Sequence, residues 1–156
     1  MPSIAQLKKG QSDPTLKEGG VWFELVVPDV IEPLKLKMRS AASDTVRLWE
    51  IRKFREQRNY YLNDNIPPLA VIDQTEADKL AEVVVMEWNV TAEDGTPESC
   101  TVEAVRALML QLSDTRRDAL AEIAKHNRFR KTEVIAITKN SERPLSQGSA
   151  TVAEGV

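Results

Sequence analysis

The chain has 156 residues and a net charge of −3, with 42% hydrophobic and 29% charged residues, a composition typical of a globular protein with a core of its own. No apolar run approaches the roughly 20 residues that a membrane-spanning helix needs, and the first residues lack the apolar stretch of a signal peptide. The single cysteine, Cys100, excludes an internal disulfide and a thiolate metal cluster.

One folded domain is predicted at residues 20–140, between a flexible arm at 1–19 and a disordered tail at 141–156. The arm is polar and broken by Pro2, Gly10 and Pro14. The tail, "SERPLSQGSATVAEGV", is small and polar without periodicity. Such a composition buries too little apolar surface to offset the entropy lost on ordering.

The domain opens with a predicted β-hairpin. "VWFELVV", residues 21–27, is rich in β-branched and aromatic residues, and "LKLKMR", residues 34–39, alternates strictly between apolar and basic. This period of two predicts a half-buried strand. Because a lone hairpin is marginally stable, we expect it to pack on helices.

A first long helix is predicted at residues 45–62, with Ser43 or Asp44 as its N-cap. The prolines of "NDNIPP" end it. Its predicted core face consists of Leu48, Ile51, Phe54 and Tyr61.

A second long helix is predicted at residues 75–90, "TEADKLAEVVVMEWNV", after a loop at residues 69–75. Thr75 would cap it, with Asp78 in the capping-box position. A strand at residues 83–85 is the alternative, which the helical spacing outweighs. The predicted apolar face consists of Ala77, Leu80, Ala81, Val84, Val85 and Trp88.

The polar connector "EWNVTAEDGTPESCTVEA", residues 87–104, holds an Asp94-Gly95 turn signal and a plausible N-cap at Thr101. Two short helices should follow, the second capped by Ser113, while residues 132–140 fit either helix or strand. The first helix has inward positions Val102, Val105, Leu108, Met109 and Leu112; the second has Ala119, Leu120, Ile123, Ala124 and Phe129. The expected fold is α+β and predominantly α, a hairpin on a bundle of about four helices.

Charge is segregated along the chain. Residues 35–58 are mostly basic and residues 73–103 mostly acidic. Two solvated faces would explain this pattern, and so would a surface that steers a partner or joins subunits.

No catalytic, cofactor or metal site is expected. The only histidine, His126, lies among basic residues without a nucleophile nearby, and Cys100 has no adjacent histidine. "EDGTPE" lacks the ligand alternation of a calcium loop, and "KEGG" lacks the spacing of a phosphate loop. The sequence therefore predicts a protein that is not an enzyme.

The basic helix is the candidate partner-binding element. "RLWEIRKFREQR" interleaves bases with aromatics, as a nucleic-acid-binding helix would. Glu50 and Glu56 interrupt it and the chain is acidic, with a pI near 5.3, which argues against nucleic acid. The candidate binding residues are Arg47, Arg52, Lys53, Arg55 and Arg58.

The order of these pieces resembles the tail assembly chaperones of long-tailed, siphovirus-type bacteriophages. In that family a helix ends in Trp, an acidic "D-G-x-P" loop follows, and a Ser/Thr-started helix comes next. Here these are Trp88, Asp94-Gly95-Thr96-Pro97 and Thr101. The strand pair and basic helix upstream are similar to the family's front, and the resemblance covers roughly residues 19–141. Cys100 departs from the polar or aromatic residue expected there.

The resemblance implies a non-catalytic chaperone that binds the tape measure protein, keeps it soluble and promotes tail tube assembly. It implies work in the host cytoplasm and absence from the mature virion. A frameshifted longer product would recruit the major tail tube protein, and homo-oligomers are left open. Trp88, Asp94, Gly95, Pro97 and Thr101 would form a structural elbow between two helices. A small nucleic-acid-binding regulator using helix 45–62 and a structural virion connector are the alternatives.

Overall fold

The computed structural model describes residues 1–63 and 65–130. It is an α+β fold, mainly helical, with a small antiparallel sheet, as predicted. The three strands have the order β1-β2-β3: β1 Val21–Leu25, β2 Leu34–Met38 and β3 Val85–Trp88. The helices are α1 Ile4–Lys9, α2 Pro14–Gly19, α3 Asp44–Glu56, α4 Arg58–Leu62, α5 Leu69–Lys79, α6 Val102–Gln111 and α7 Ser113–Ile123.

The N-terminal residues are more closely tied to the body than the predicted arm. Asp13 caps α2 by accepting from the amides of Thr15 and Leu16, and Leu16 packs against the core. The carboxylate of Glu18 accepts from both the amide and the hydroxyl of Thr45, at 2.9 and 2.7 Å. The docked part of the chain therefore begins before residue 20, because a proline-started helix and its cap can form within the polar segment.

The hairpin follows its predicted alternation. Val21 pairs with Met38 and Leu25 with Leu34, so Phe23, Leu36 and Met38 point into the core and are buried. The third strand, β3, pairs antiparallel with the other edge of β2. The hairpin of β1 and β2 leaves one edge of each strand without hydrogen-bond partners, and β3 pairs with the free edge of β2.

The predicted helix at residues 75–90 is wrong at both ends. α5 begins earlier, at Leu69, where a loop was predicted, and Thr75 lies inside it and donates its hydroxyl to the carbonyl of Val71 at 2.7 Å. The helix then widens into a π-helical turn, Leu80–Val84, and becomes β3 at Val85. The alternative strand at residues 83–85 is also wrong except at Val85, because Val83 and Val84 belong to the π-helical turn and pairing with β2 begins only at Val85.

The C-terminal helices complete the core. Thr101 caps α6 by accepting from the amide of Ala104 at 3.1 Å, as predicted. Ser113 is not a cap: α7 begins with it, and Leu112 is the N-cap without a side-chain hydrogen bond. A 3-10 turn, His126–Phe129, then buries Phe129 against Phe23, with ring centroids 5.6 Å apart.

The predicted helix at residues 45–62 is two helices. Ser43 caps α3 through the amide of Val46, as predicted, but the chain bends at Gln57, whose side-chain amide donates to the hydroxyl of Thr75 at 2.8 Å. The buried residues of α3 are Val46 and Trp49. The predicted core face is therefore wrong, because Leu48, Ile51, Phe54 and Tyr61 are all exposed.

None of the helices in the described ranges has the length and hydrophobicity that crossing a membrane requires. The ambiguous residues 132–140 and the predicted tail at 141–156 lie outside the described residues.

Candidate functional site

Helix α3 carries apolar residues on two opposite faces. At about 100° per residue, Val46 and Trp49 lie on one side and Leu48, Ile51 and Phe54 on the other. The first pair is buried. The indole nitrogen of Trp49 donates to Glu82 at 3.3 Å, which ties this face to the π-helical turn.

The outer face is a continuous apolar strip. We define the apolar strip as Leu48, Ile51, Phe54 and Tyr61, whose exposed fractions are 66%, 50%, 57% and 45%. The rings of Phe54 and Tyr61 stack with centroids 5.1 Å apart, so α4 extends the strip begun on α3. Contiguous exposed apolar patches mark interaction sites, whereas single exposed apolar residues are common on any protein surface.

A shallow groove of about 490 Å³ lies beside Ile51 and Phe54, in the middle of this strip. Its lining combines apolar and charged side chains. The lining residues are Arg47, Glu50, Ile51, Phe54 and Arg55.

Four of the five predicted binding residues surround the strip and are exposed: Arg47, Arg52, Arg55 and Arg58. Within the described part of the chain, the guanidinium groups of the last three have no hydrogen bond or ion pair, and that of Arg47 lies 4.0 Å from the Asp44 carboxylate.

Lys53, the fifth, lies apart from these arginines. Its ammonium lies 5.3 Å from the centre of the Trp49 ring and 3.1 Å from Glu56. It therefore belongs to the packed side of α3, where its role is structural.

Many carboxylates of the acidic stretch, in contrast, have internal partners. Asp73 accepts from Arg116 at 2.9 Å and Asp78 from Arg106 at 2.6 Å. Glu87 lies 3.5 Å from Lys37 across the sheet. The charge segregation thus has an uneven result: these acids join elements of the fold, whereas the side chains of Arg52, Arg55 and Arg58 make no hydrogen bond or ion pair within residues 1–63 and 65–130.

The predicted elbow joins a strand to a helix, not two helices. Gly95 has φ +85°, which glycine adopts without strain, and the Asp94 carboxylate accepts from the amide and hydroxyl of Thr96. These hydrogen bonds hold the pKa of Asp94 below its usual value. The turn is closed by a bridge between Thr91 and Pro97.

Trp88 anchors this loop to the sheet. It is half-buried against the core, and its indole nitrogen donates to the carbonyl of Glu98 at 2.7 Å. Thr101 then starts α6. The elbow residues thus lie together, and their contacts are structural.

His126 and Cys100, the two residues considered as catalytic candidates, lie in different parts of the fold. His126 is exposed in the 3-10 turn, and Cys100 is half-buried beside the core. Burial, helped by the nearby Glu87, raises the pKa of the Cys100 thiol. Within residues 1–63 and 65–130, no group of three or more His, Cys, Asp or Glu side chains is arranged to hold a metal ion.

Comparison with protein-family models, with curated proteins and with solved structures gives no match.

The sequence predicts the arginines as candidate binding residues and places the apolar strip in the core, whereas the structure leaves the strip exposed. A detectable signal was available: Val46 and Trp49 fall on the opposite side of a helical projection from Leu48 and Ile51. A helix with two apolar faces must leave one uncovered unless it lies wholly inside the core.

Proposed function

We propose that this protein is a non-catalytic tail assembly chaperone of a long-tailed bacteriophage, which binds the tape measure protein and keeps it soluble. The observation that carries the proposal is the exposed apolar strip on α3 and α4, beside Arg52, Arg55 and Arg58, whose side chains have no partner in the part of the chain that the structure describes. A holding chaperone needs such a surface, because its client is long, helical and apolar. The order of Trp88, the Asp-Gly-x-Pro loop and the Thr-started helix supports the same family.

Promotion of tail tube assembly is the second half of this proposal. The chaperone would act in the host cytoplasm and be missing from the mature virion, and a frameshifted longer product would recruit the major tail tube protein. A structural connector subunit would instead remain in the particle. Mass spectrometry of purified virions separates the two, since the chaperone is expected to be absent.

Nucleic-acid binding is the second candidate function, and one observation favours it: Arg52, Arg55 and Arg58 are exposed without partners among the described residues. Phosphate contacts would give binding that weakens steeply with salt. The aliphatic Leu48 and Ile51 at the centre of the same face favour a protein partner, because they offer nothing to a phosphate backbone.

The deciding experiment is co-expression with the tape measure protein encoded nearby. We expect the two proteins to copurify and the soluble fraction of the tape measure protein to rise. The matched control is co-expression with an unrelated coiled-coil protein of similar length, which should gain no solubility. Equal solubility with and without this chain, together with no copurification, would refute the chaperone.

A further inference from the structure

We infer that the apolar strip, with Arg47, Arg52, Arg55 and Arg58 around it, is the docking site for an amphipathic α-helix whose apolar face is flanked by carboxylates. This inference deepens the proposed function, on which it rests for the identity of the partner, by naming the face used and the chemistry it recognises. Three properties of the strip support this inference: the spacing of its apolar side chains, the hydrogen bonding of its helical backbone and the positive charge beside it.

The spacing fits a helix lying along α3. Leu48, Ile51 and Phe54 are three residues apart, which spreads them over about 9 Å of helix at 1.5 Å per residue, and the stacked ring of Tyr61 lengthens the strip. A partner helix presents anchors at i, i+3 or i+4, and i+7, which match a strip of this kind.

The backbone also favours a helical partner. The strip lies on helices, whose amides and carbonyls are mostly bonded within the helix, so an extended peptide would find few main-chain partners there. A helix brings its own backbone already hydrogen-bonded. It can therefore bury its apolar face in the groove without leaving polar groups unsatisfied.

The charge around the groove selects an acidic partner. Arg47 and Arg55 line it, and the exposed Arg52 and Arg58 follow on the same two helices, although the chain as a whole carries −3. The one carboxylate in the groove lining, Glu50, is already paired with the ammonium of Lys79 at 2.6 Å. Glutamates beside a partner's apolar face would form charge-assisted hydrogen bonds with the arginines.

The same charge argues against a second copy in a two-fold arrangement. An isologous contact would place this face against itself and bring arginines together, which costs energy. Nucleic acid satisfies the arginines but leaves the aliphatic centre of the strip exposed.

The test uses two synthetic amphipathic helices of about 20 residues, long enough to form in isolation. Both carry the same leucine face, and one has glutamates where the other has lysines at the flanks. Binding to the full-length protein is measured by fluorescence anisotropy at low and high salt. We expect the glutamate peptide to bind at least about tenfold more tightly than the lysine peptide at low salt, with a smaller difference at high salt.

Three variants locate the binding. Ile51→Ser with Phe54→Ser removes two exposed anchors and should weaken the glutamate peptide about tenfold or more. The matched control, Val30→Ser with Ile31→Ser, removes two exposed apolar residues from the β1–β2 loop and should change nothing. Arg52→Gln with Arg55→Gln should reduce the preference for glutamate over lysine. Thermal unfolding of each variant verifies that it folds.

Equal affinity for both peptides, or unchanged binding by the Ile51/Phe54 variant, would overturn the docking site. So would a dimer, seen by sedimentation, that this variant abolishes, or a DNA duplex that displaces the glutamate peptide. Failure of the proposed function is distinguishable. If the peptide binds as expected and the tape measure protein does not, the docking site stands and its partner is another protein. If the tape measure protein binds the Ile51/Phe54 variant as well as the wild type, the proposed function stands and the docking site is not where this partner binds.

Discussion

Arg116 is expected to contribute to stability in a way that depends on which partner is removed. Its side chain is 2% exposed, in the core between α5, α6 and α7. One terminal nitrogen donates to the carbonyl of Met109 at 3.0 Å, near the end of α6, and the other to Asp73 at 2.9 Å. The guanidinium thus satisfies one of the carbonyls that a helix end leaves open.

The two sides of this ion cluster differ in hydration. The side chains of Asp73 and Glu76 are 46% and 28% exposed, whereas Arg116 is enclosed. Removing Arg116 leaves two carboxylates that water can reach. Removing the carboxylates leaves a buried cation that water cannot reach, and an uncompensated buried charge is the costlier outcome.

This asymmetry in hydration sets how much folding free energy each variant loses. Asp73→Asn with Glu76→Gln should cost about 3 kcal/mol, the low end for a broken buried pair because the acids are half-hydrated. Arg116→Met keeps the apolar volume and should cost about 1.5 kcal/mol, the hydrogen bond from the guanidinium to the Met109 carbonyl. The lost bond to Asp73 adds little, because that half-exposed carboxylate can hydrogen-bond to water instead. For a domain of this size these correspond to losses of about 10 °C and 5 °C in Tm.

The assay is thermal and urea unfolding followed by far-UV circular dichroism. The matched control is Arg117→Met, at an exposed neighbouring arginine of the same helix, which should change stability by less than about 0.5 kcal/mol. A larger loss for Arg116→Met than for the double acid variant would refute the hydration argument. If neither Arg116→Met nor the double acid variant loses more stability than Arg117→Met, the ion cluster contributes nothing to stability.

Three further outcomes are expected. Trp88→Phe should lose about 1 kcal/mol with the hydrogen bond to Glu98, and Trp88→Ala about 2–4 kcal/mol; equal losses would mean that ring packing contributes nothing. The hydrogen bonds from Thr45 lower the pKa of Glu18, so its stabilisation is present above the unfolded pKa and lost as pH falls through the folded one. Unfolding curves of Glu18→Gln and wild type should differ at neutral pH and converge below about pH 4; a constant gap would contradict this. Because burial raises the pKa of Cys100, iodoacetamide should alkylate it more slowly at neutral pH than free cysteine, and faster labelling would refute its burial.

Local signals in the sequence were sufficient for several elements. The strict alternation of residues 34–39 predicts which side of β2 is buried, since a strand places successive side chains on opposite faces. Ser43 and Thr101 were recognisable as caps because a short hydroxyl side chain satisfies an open amide at the helix start. The Asp94-Gly95 turn was predictable for the same local reason, the positive φ that glycine tolerates.

The errors fall where local patterns permit two structures. The segment after Thr75 has both helical spacing and a run of valines, and no residue within it decides between helix and strand. The unpaired edge of β2 decides, by offering hydrogen bonds to β3. The candidate site shows the same division. The arginines of α3 and α4 are candidate binding residues from local charge alone and are exposed, whereas the sequence assigns the equally local apolar strip to the core, where it does not lie.

Local sequence is sufficient for the caps at Ser43 and Thr101, the Asp94-Gly95 turn and the alternating strand, because each depends on a residue and its near neighbours. Which apolar face of α3 is covered depends instead on the packing of the whole fold. Trp49 contacts the π-helical turn through its hydrogen bond to Glu82, and the burial of Val46 and Trp49 leaves Leu48, Ile51 and Phe54 exposed. Periodicity finds the apolar faces of a helix, but burial is a property of what packs against them.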